Sequence, residues 1–144
     1  MKKISLDSPN FLESRNIYIP GDFSSAAFLI VAGLIISGSK ITLKDVGLNY
    51  YRIGLIDVLK KMNAKINIKN KRKLNNEEIG DLEVFSSNLN GVSFSGKISP
   101  RMIDEYPIVF IAASFASGTS VFKGLGELKV KESNRLKVMY ETLK

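Results

Sequence analysis

Lys131, Glu132 and Arg135 place two cations and a carboxylate within five positions of the chain, beside the predicted start of a helix. Ser133 is a good N-cap, and apolar side chains recur through residues 134–144, which predicts a helix there. A helix start presents free N–H groups and a partial positive charge, so the two cations complete a site suited to a carboxylate or phosphate. Glu132 is then either a solvated ion-pair partner, which is the commoner case, or a general acid and base.

Asp104 is the second candidate, in the segment of residues 100–107 that leads from a loop into an apolar helix. Taken alone, an aspartate at such a place is an N-cap that accepts hydrogen bonds from free N–H groups. Glu105 beside it is expected to be solvated or ion-paired. The sequence contains no histidine and no cysteine, so acid and base chemistry falls to Asp, Glu, Lys or Tyr, and thiolate metal sites are excluded.

Helices and strands alternate around these residues. Asp22, Ser24 or Ser25 is expected to cap the first helix, after the turn at Pro20 and Gly21. Further helices are predicted at residues 51–62, 103–117 and 134–144, and the first extends to about residue 36. Strands are predicted at residues 17–19, 40–46, 64–68, 81–85, 92–94 and 119–123. The basic run of residues 69–73 is interpreted as a solvated loop between two strands.

The order of elements restarts near residue 90. Gly38 and Gly118 each close an apolar helix, and Arg52 and Arg135 each open the following helix. This pattern predicts a weak repeat of the form βαβαββ, with unit one at about residues 15–86 and a truncated unit two at about 90–144. The second unit lacks its last two strands. We therefore expect an unpaired sheet edge, uncovered helix faces and a piece of a longer protein.

The bulk composition is that of one domain able to bury a core, with 144 residues, 44% hydrophobic content and a formal net charge of +7. The N-terminal residues are too polar for a signal peptide, and the longest apolar stretch is too short for a membrane span. A cytoplasmic protein is therefore expected. The positive charge permits two classes of partner, nucleic acid or small polyanionic ligands.

Three segments stand in an order that resembles the EPSP synthase family of enolpyruvyl transferases. They read Pro-Gly-Asp-Phe-Ser-Ser-Ala-Ala-Phe at residues 20–28, Arg-Met-Ile-Asp-Glu-Tyr-Pro at 101–107 and Glu-Leu-Lys-Val-Lys-Glu-Ser-Asn-Arg at 127–135. The resemblance covers residues 4–144. It implies an α+β fold of repeated βαβαββ units, with helices packed under mixed sheets, of which this chain holds about two units from the C-terminal domain.

The resemblance also implies a reaction. The family transfers the enolpyruvyl group of phosphoenolpyruvate to the 5-hydroxyl of shikimate 3-phosphate, without a cofactor or a metal. The complete enzyme is expected to be a monomer with no nucleic-acid or membrane partner. The isolated chain is expected to be inactive or nearly so, and to be able to self-associate.

Residue roles follow from the same resemblance. Asp104 is expected to bind the shikimate hydroxyls and is a candidate base for the attacking hydroxyl, and Lys131 is expected to contact the hydroxyl side of shikimate phosphate. Glu132 is the candidate proton donor and acceptor at the phosphoenolpyruvate methylene, and Arg135 pairs with the phosphoenolpyruvate anion. These four side chains are expected to converge on one exposed face. Asn134 stands where the family often has Asp, which removes one possible ion pair.

Two alternatives remain open at this level. The UDP-N-acetylglucosamine enolpyruvyl transferase shares the fold and uses a cysteine, but that loop would lie outside this stretch, so the absence of cysteine does not decide. The run of residues 131–135 favours the EPSP synthase family. A small basic nucleic-acid-binding module is the alternative from another class, and the lack of aromatic side chains beside the basic residues counts against it.

Overall fold

The computed structural model describes residues 3–8, 11 and 13–144. Within them the chain is built from helices and strands in the α+β arrangement that the sequence predicts. In chain order the elements are α1 (Phe23–Ile35), β1 (Lys40–Gly47), α2 (Gly54–Lys61), β2 (Lys65–Leu74), β3 (Glu77–Phe85), β4 (Ser93–Phe94), a 3₁₀ helix (Gly96–Arg101), α3 (Tyr106–Ser114), β5 (Val121–Phe122), a second 3₁₀ helix (Gly126–Lys129) and α4 (Arg135–Leu143).

β1, β3 and β2 form an antiparallel sheet in that spatial order. A two-residue turn joins β2 to β3, and both of its residues, Asn75 and Asn76, have positive φ angles of 49° and 65°. This is the conformation of a type I′ hairpin turn, which asparagine tolerates. The prediction of a loop at residues 69–73 is therefore wrong. The basic run belongs to β2, where its side chains face solvent and Arg72 pairs with Asp45.

α1 packs on this sheet because its start is capped and its apolar residues are buried. The carboxylate of Asp22 accepts hydrogen bonds from the backbone N–H of Ser25 at 2.7 Å and from its hydroxyl at 2.9 Å, so Asp22 is the N-cap. Gly33 permits the close approach of helix and sheet, since a Cβ atom there would lie 2.8 Å from Ile41 Cδ1. The core formed by α1, α2, the sheet and α3 is continuous.

β4 and β5 pair in parallel as a separate two-stranded sheet. α3 covers it, and four aromatic rings fill the space between them with centroids 5.7 to 6.5 Å apart: Phe94, Tyr106, Phe110 and Phe122. Tyr106 is buried, and its hydroxyl shares a 2.8 Å hydrogen bond with the hydroxyl of Ser99. This packing fixes the position of the first turn of α3.

Several predicted boundaries differ from the structure: α2 begins at Gly54, three residues later than predicted, α3 ends at Ser114, three residues earlier, and β3 begins at Glu77, four residues earlier. Residues 17–19 form no strand, since their side chains are exposed and Pro20 has no N–H to donate to a ladder; only Gly21 pairs, as an isolated parallel bridge with Val46. α3 begins at Tyr106, three residues later than predicted, because residues 102–105 form turns after the first 3₁₀ helix. The boundaries of two repeated units stay a prediction.

The C-terminal part of the chain is held loosely. From Val121 to Lys144, Leu128 is the one residue that is buried. An apolar groove of about 880 Å³ opens between α3, β5 and α4, with Phe110, Leu136 and Met139 among its lining residues. None of the helices in the described ranges is long and apolar enough to cross a membrane.

Candidate active site

Arg135, the first residue of α4, lies between two carboxylates. Its Nη1 donates to Asp104 Oδ1 at 3.0 Å, and its Nη2 donates to Glu132 Oε2 at 2.9 Å. The Arg135 side chain is 21% exposed, whereas that of Glu132 is 79% exposed. Three of the predicted site residues therefore meet in one cluster that is open to solvent.

One buried side chain and one helix cap position the segment that carries this cluster. The buried side chain of Leu128 anchors the second 3₁₀ helix, just before the cluster. α4 is capped by Asn134, whose Oδ1 accepts a hydrogen bond from the N–H of Lys137 at 3.1 Å. The prediction of Ser133 as N-cap is therefore wrong by one residue. Arg135 follows the cap directly, so its side chain leaves the helix at its first turn.

Lys131 forms no ion pair with the other three predicted site residues. Its ammonium group pairs with Glu127 Oε1 at 3.2 Å, four residues earlier in the chain. The expected convergence therefore holds for Asp104, Glu132 and Arg135, and Lys131 is directed to a different carboxylate.

The ionisation of the cluster follows from its contacts. The pKa of Glu132 lies below its ordinary value, first because its own backbone N–H bonds to the carboxylate and second because Arg135 donates to it. The hydrogen bond from Arg135 to Asp104 raises the pKa of the guanidinium. Near neutral pH Glu132 is therefore a carboxylate, in the form that accepts a proton.

Asp104 is not a helix cap, contrary to its simplest interpretation from sequence. The N-cap position of α3 is Glu105, and its side chain accepts no capping hydrogen bond. Pro107 in the first turn has no N–H, which leaves one donor fewer to be capped. The carboxylate of Asp104 is consequently available to Arg135.

Glu105 differs from the sequence-based prediction of a solvated or ion-paired side chain. It is only 3% exposed, and Ser24 Oγ donates to its Oε1 at 2.5 Å. Burial raises the pKa of this carboxyl. Ser24 lies 81 residues away in sequence, and no local signal links the two positions.

The cluster offers two proton-accepting groups on either side of one cation. An anionic ligand that approaches Arg135 would compete with the two carboxylates for the same guanidinium, so ligand binding is coupled to the ionisation of Glu132. Within the residues that the structure describes, no group of three or more acidic side chains is placed to hold a metal ion.

Comparison with known families gives one consistent result. Residues 3–144 match the model of the EPSP synthase family (3-phosphoshikimate 1-carboxyvinyltransferase). The chain is 48% identical over 141 residues to the 3-phosphoshikimate 1-carboxyvinyltransferase of Geobacillus thermodenitrificans, which covers 98% of this chain and 33% of that protein. It is also 48% identical to the enzyme of the same name from Zymomonas mobilis, with 98% and 31% covered.

Solved structures agree with the sequence matches. The fold is similar to that of EPSP synthase from Acinetobacter baumannii, with a TM-score of 0.85 and 42% identity over 88% of this chain and 28% of that one. The chain thus spans about a third of the length of the curated relatives it matches.

Proposed function

The chain belongs to the EPSP synthase family, and we propose that it supplies part of the site where the enolpyruvyl group of phosphoenolpyruvate is transferred to the 5-hydroxyl of shikimate 3-phosphate. The observation that supports this is the cluster of Asp104, Arg135 and Glu132. The remainder of the site belongs, in this proposal, to the parts of the relatives that lie outside the matched third. We place the activity in the cytoplasm, without nucleic acid or membrane as a partner.

The reaction requires a proton to move twice at one carbon. The attacking hydroxyl adds to C2 of phosphoenolpyruvate while C3 gains a proton, and the tetrahedral intermediate then loses phosphate while C3 loses a proton. In our assignment Glu132 gives and takes the proton at C3, and Asp104 accepts the hydrogen bond of the attacking hydroxyl and removes its proton. Arg135 neutralises an anionic group of phosphoenolpyruvate.

Arg135 connects substrate binding to the protonation of Glu132. Its guanidinium is shared by the two carboxylates, and its hydrogen bond to Glu132 is one of the causes that lower the pKa of Glu132. A substrate anion that takes the place of Glu132 on Arg135 removes that cause, so the pKa of Glu132 rises and the carboxyl becomes better able to carry a proton. In this proposal, substrate binding therefore changes the partner of Arg135.

Lys131 can reach the substrate at small cost. Its partner Glu127 is largely exposed, and exposed ion pairs of this kind contribute about 0–1 kcal/mol. The hydroxyl side of shikimate 3-phosphate would offer the ammonium group oxygen atoms that can accept its hydrogen bonds. We assign Lys131 to that side of the substrate.

A chimaera tests the proposal. This chain replaces the matched third of the Geobacillus thermodenitrificans enzyme, and the unaltered enzyme is the control. We expect the chimaera to form the enolpyruvyl product from the two substrates. A folded chimaera that binds both substrates and forms no product would contradict the assignment.

The isolated chain gives the complementary result. We expect no turnover and only weak binding of phosphoenolpyruvate in a calorimetric titration at low salt, because Arg135 and Lys131 supply only part of the ligand shell. Micromolar affinity for the isolated chain would show that the matched third is sufficient for binding.

A further inference from the structure

The adjacent residues Asp104 and Glu105 direct their carboxylates to opposite environments. Asp104 is exposed and bonded to Arg135, and Glu105 is buried and bonded to Ser24. Both belong to the turn that starts α3. Because the two residues are adjacent, contacts that hold the side chain of Glu105 also limit the backbone rotation that would move Asp104.

Glu105 is held by a directed series of hydrogen bonds. Arg52 Nη2 donates to Ser24 Oγ at 3.1 Å, and Ser24 Oγ donates to Glu105 Oε1 at 2.5 Å. Both hydrogen bonds run from Arg52 toward Glu105. The guanidinium therefore polarises the Ser24 hydroxyl, and each hydrogen bond strengthens the other. The starts of α1, α2 and α3 are joined through this series.

The middle member of the series belongs to a helix, whereas Arg52 lies in the turn before α2. Ser24 lies in the first turn of α1, which Asp22 caps through Ser25. A hydrogen-bonded carboxylate with so little exposure resists reorientation, because moving it would leave a buried polar group without a partner. The buried Glu105 side chain should therefore move less than the exposed cluster of Asp104, Glu132 and Arg135 that it supports.

We propose that Glu105 is a positioning residue, which Ser24 and Arg52 hold so that the start of α3 presents Asp104 to Arg135. Glu105 makes no contact with substrate in this proposal, and it acts through the backbone that it shares with Asp104. The link from geometry to catalysis rests on the function proposed above, whereas the geometric effect can be measured without turnover.

Two neighbouring serines provide a matched pair of variants. Ser24→Ala removes the hydroxyl that bonds Glu105, and Ser25→Ala removes a hydroxyl that bonds only Asp22 while the backbone N–H of residue 25 still caps α1. The reporter is nitrogen-15 NMR of the Arg135 guanidinium in the 144-residue chain. Rotation about its Nε–Cζ bond is slow only while both Nη groups are held.

We expect Ser24→Ala to make this rotation several-fold faster and Ser25→Ala to leave it unchanged. Equal effects of the two variants, or no effect of Ser24→Ala, would overturn the proposal. Val109→Ala, in the core face of α3, is the control for lost stability, since it should lower the unfolding free energy and leave the Arg135 signals as they are.

Substitutions of Glu105 itself add a rescue test. Glu105→Gln keeps an oxygen that can accept from Ser24 and should retain the slow rotation, whereas Glu105→Ala should lose it. Loss of slow rotation in a folded Glu105→Gln protein, to the same degree as in Glu105→Ala, would contradict anchoring by this hydrogen bond.

The active chimaera connects the geometry to turnover. There Ser24→Ala should lower kcat by about 10- to 100-fold with little change in the KM for phosphoenolpyruvate, because the attacking hydroxyl is misaligned. An unchanged kcat in Ser24→Ala would refute the catalytic part of the proposal. If the chimaera without the Ser24 substitution is inactive, this counts against the proposed function alone. The positioning role of Glu105 is tested separately, by the rotation rate of the Arg135 guanidinium.

Discussion

Leu128 is expected to control the stability of the candidate active site separately from that of the fold. It is fully buried, and it is the one buried residue in the stretch that carries Glu132 and Arg135. Replacing it with alanine removes the apolar anchor of the second 3₁₀ helix. The stretch from Gly126 to Leu143 should then open while the three-stranded sheet remains folded.

The magnitude follows from what holds this stretch. Burial of one leucine contributes about 1.5–3 kcal/mol, and each exposed ion pair of Arg135 adds about 0–1 kcal/mol. Their sum of about 1.5–5 kcal/mol lies at or below the low end of the roughly 5–15 kcal/mol of a whole domain, so the stretch should open on its own in the parent protein. Leu128→Ala costs about 2–5 kcal/mol, enough to reduce its protection against opening about 30-fold or more.

Native-state hydrogen exchange measures this opening residue by residue. The informative amides are those of Leu128, Val130 and Val138, which bond to the carbonyls of Leu125, Glu127 and Asn134. Their protection should fall in Leu128→Ala, and that of the amides in β3 should change far less.

A second variant tests whether burial of the substituted side chain, and not only its position in this stretch, causes the loss of protection. Val138 lies on α4 but is 48% exposed, so Val138→Ala should change protection by less than about 0.5 kcal/mol. If β3 and α4 lose protection equally in Leu128→Ala, the stretch and the sheet form one cooperative unit and the reasoning is refuted.

Three further predictions concern capping, pH and catalysis. Asp22→Ala should lower the unfolding free energy in urea by about 1 kcal/mol through loss of the α1 cap, and an effect no larger than that of Ser25→Ala would contradict this. Burial raises the pKa of Glu105, although the hydrogen bond from Ser24 and the charge of Arg52 oppose this effect. Between the ordinary and the raised pKa, Glu105 is therefore protonated in the folded protein and ionised in the unfolded chain. The unfolding free energy should therefore fall as pH rises from the ordinary carboxyl range through this raised pKa, and the decline should be absent in Glu105→Gln; identical pH profiles would count against it. In the chimaera, Glu132→Gln should lower kcat by on the order of 10²–10⁴ with little change in KM, and a near-normal kcat would make Glu132 only an ion-pair partner of Arg135.

The basic hairpin shows why one part of the fold was not predicted from sequence. A strand that is exposed on its outer half needs no apolar alternation, so the run at residues 69–73 gave no strand signal and its charges suggested a loop. The pair Asn75 and Asn76 was the usable signal, because asparagine tolerates the two positive φ angles of a tight hairpin.

The candidate site was predictable where chemistry is local and not where it depends on distant partners. Arg135 and Glu132 are three residues apart at a helix start, and this spacing brings them together directly. The burial of Glu105 depends on Ser24, from another helix, and the pairing of Lys131 with Glu127 was one of several available. Side-chain choice among competing partners is decided by packing, which spacing does not encode.

The hydrogen bond from Ser24 to Glu105 also bears on folding kinetics. It closes a loop of 81 residues, whereas the β2–β3 hairpin closes over a two-residue turn. The entropy of loop closure delays distant contacts relative to local ones, so the hairpin should form before the folding barrier and the Ser24 hydrogen bond after it. Ser24→Ala should then accelerate unfolding and leave the refolding rate nearly unchanged. This hydrogen bond should thus lengthen the lifetime of the folded state rather than speed its formation.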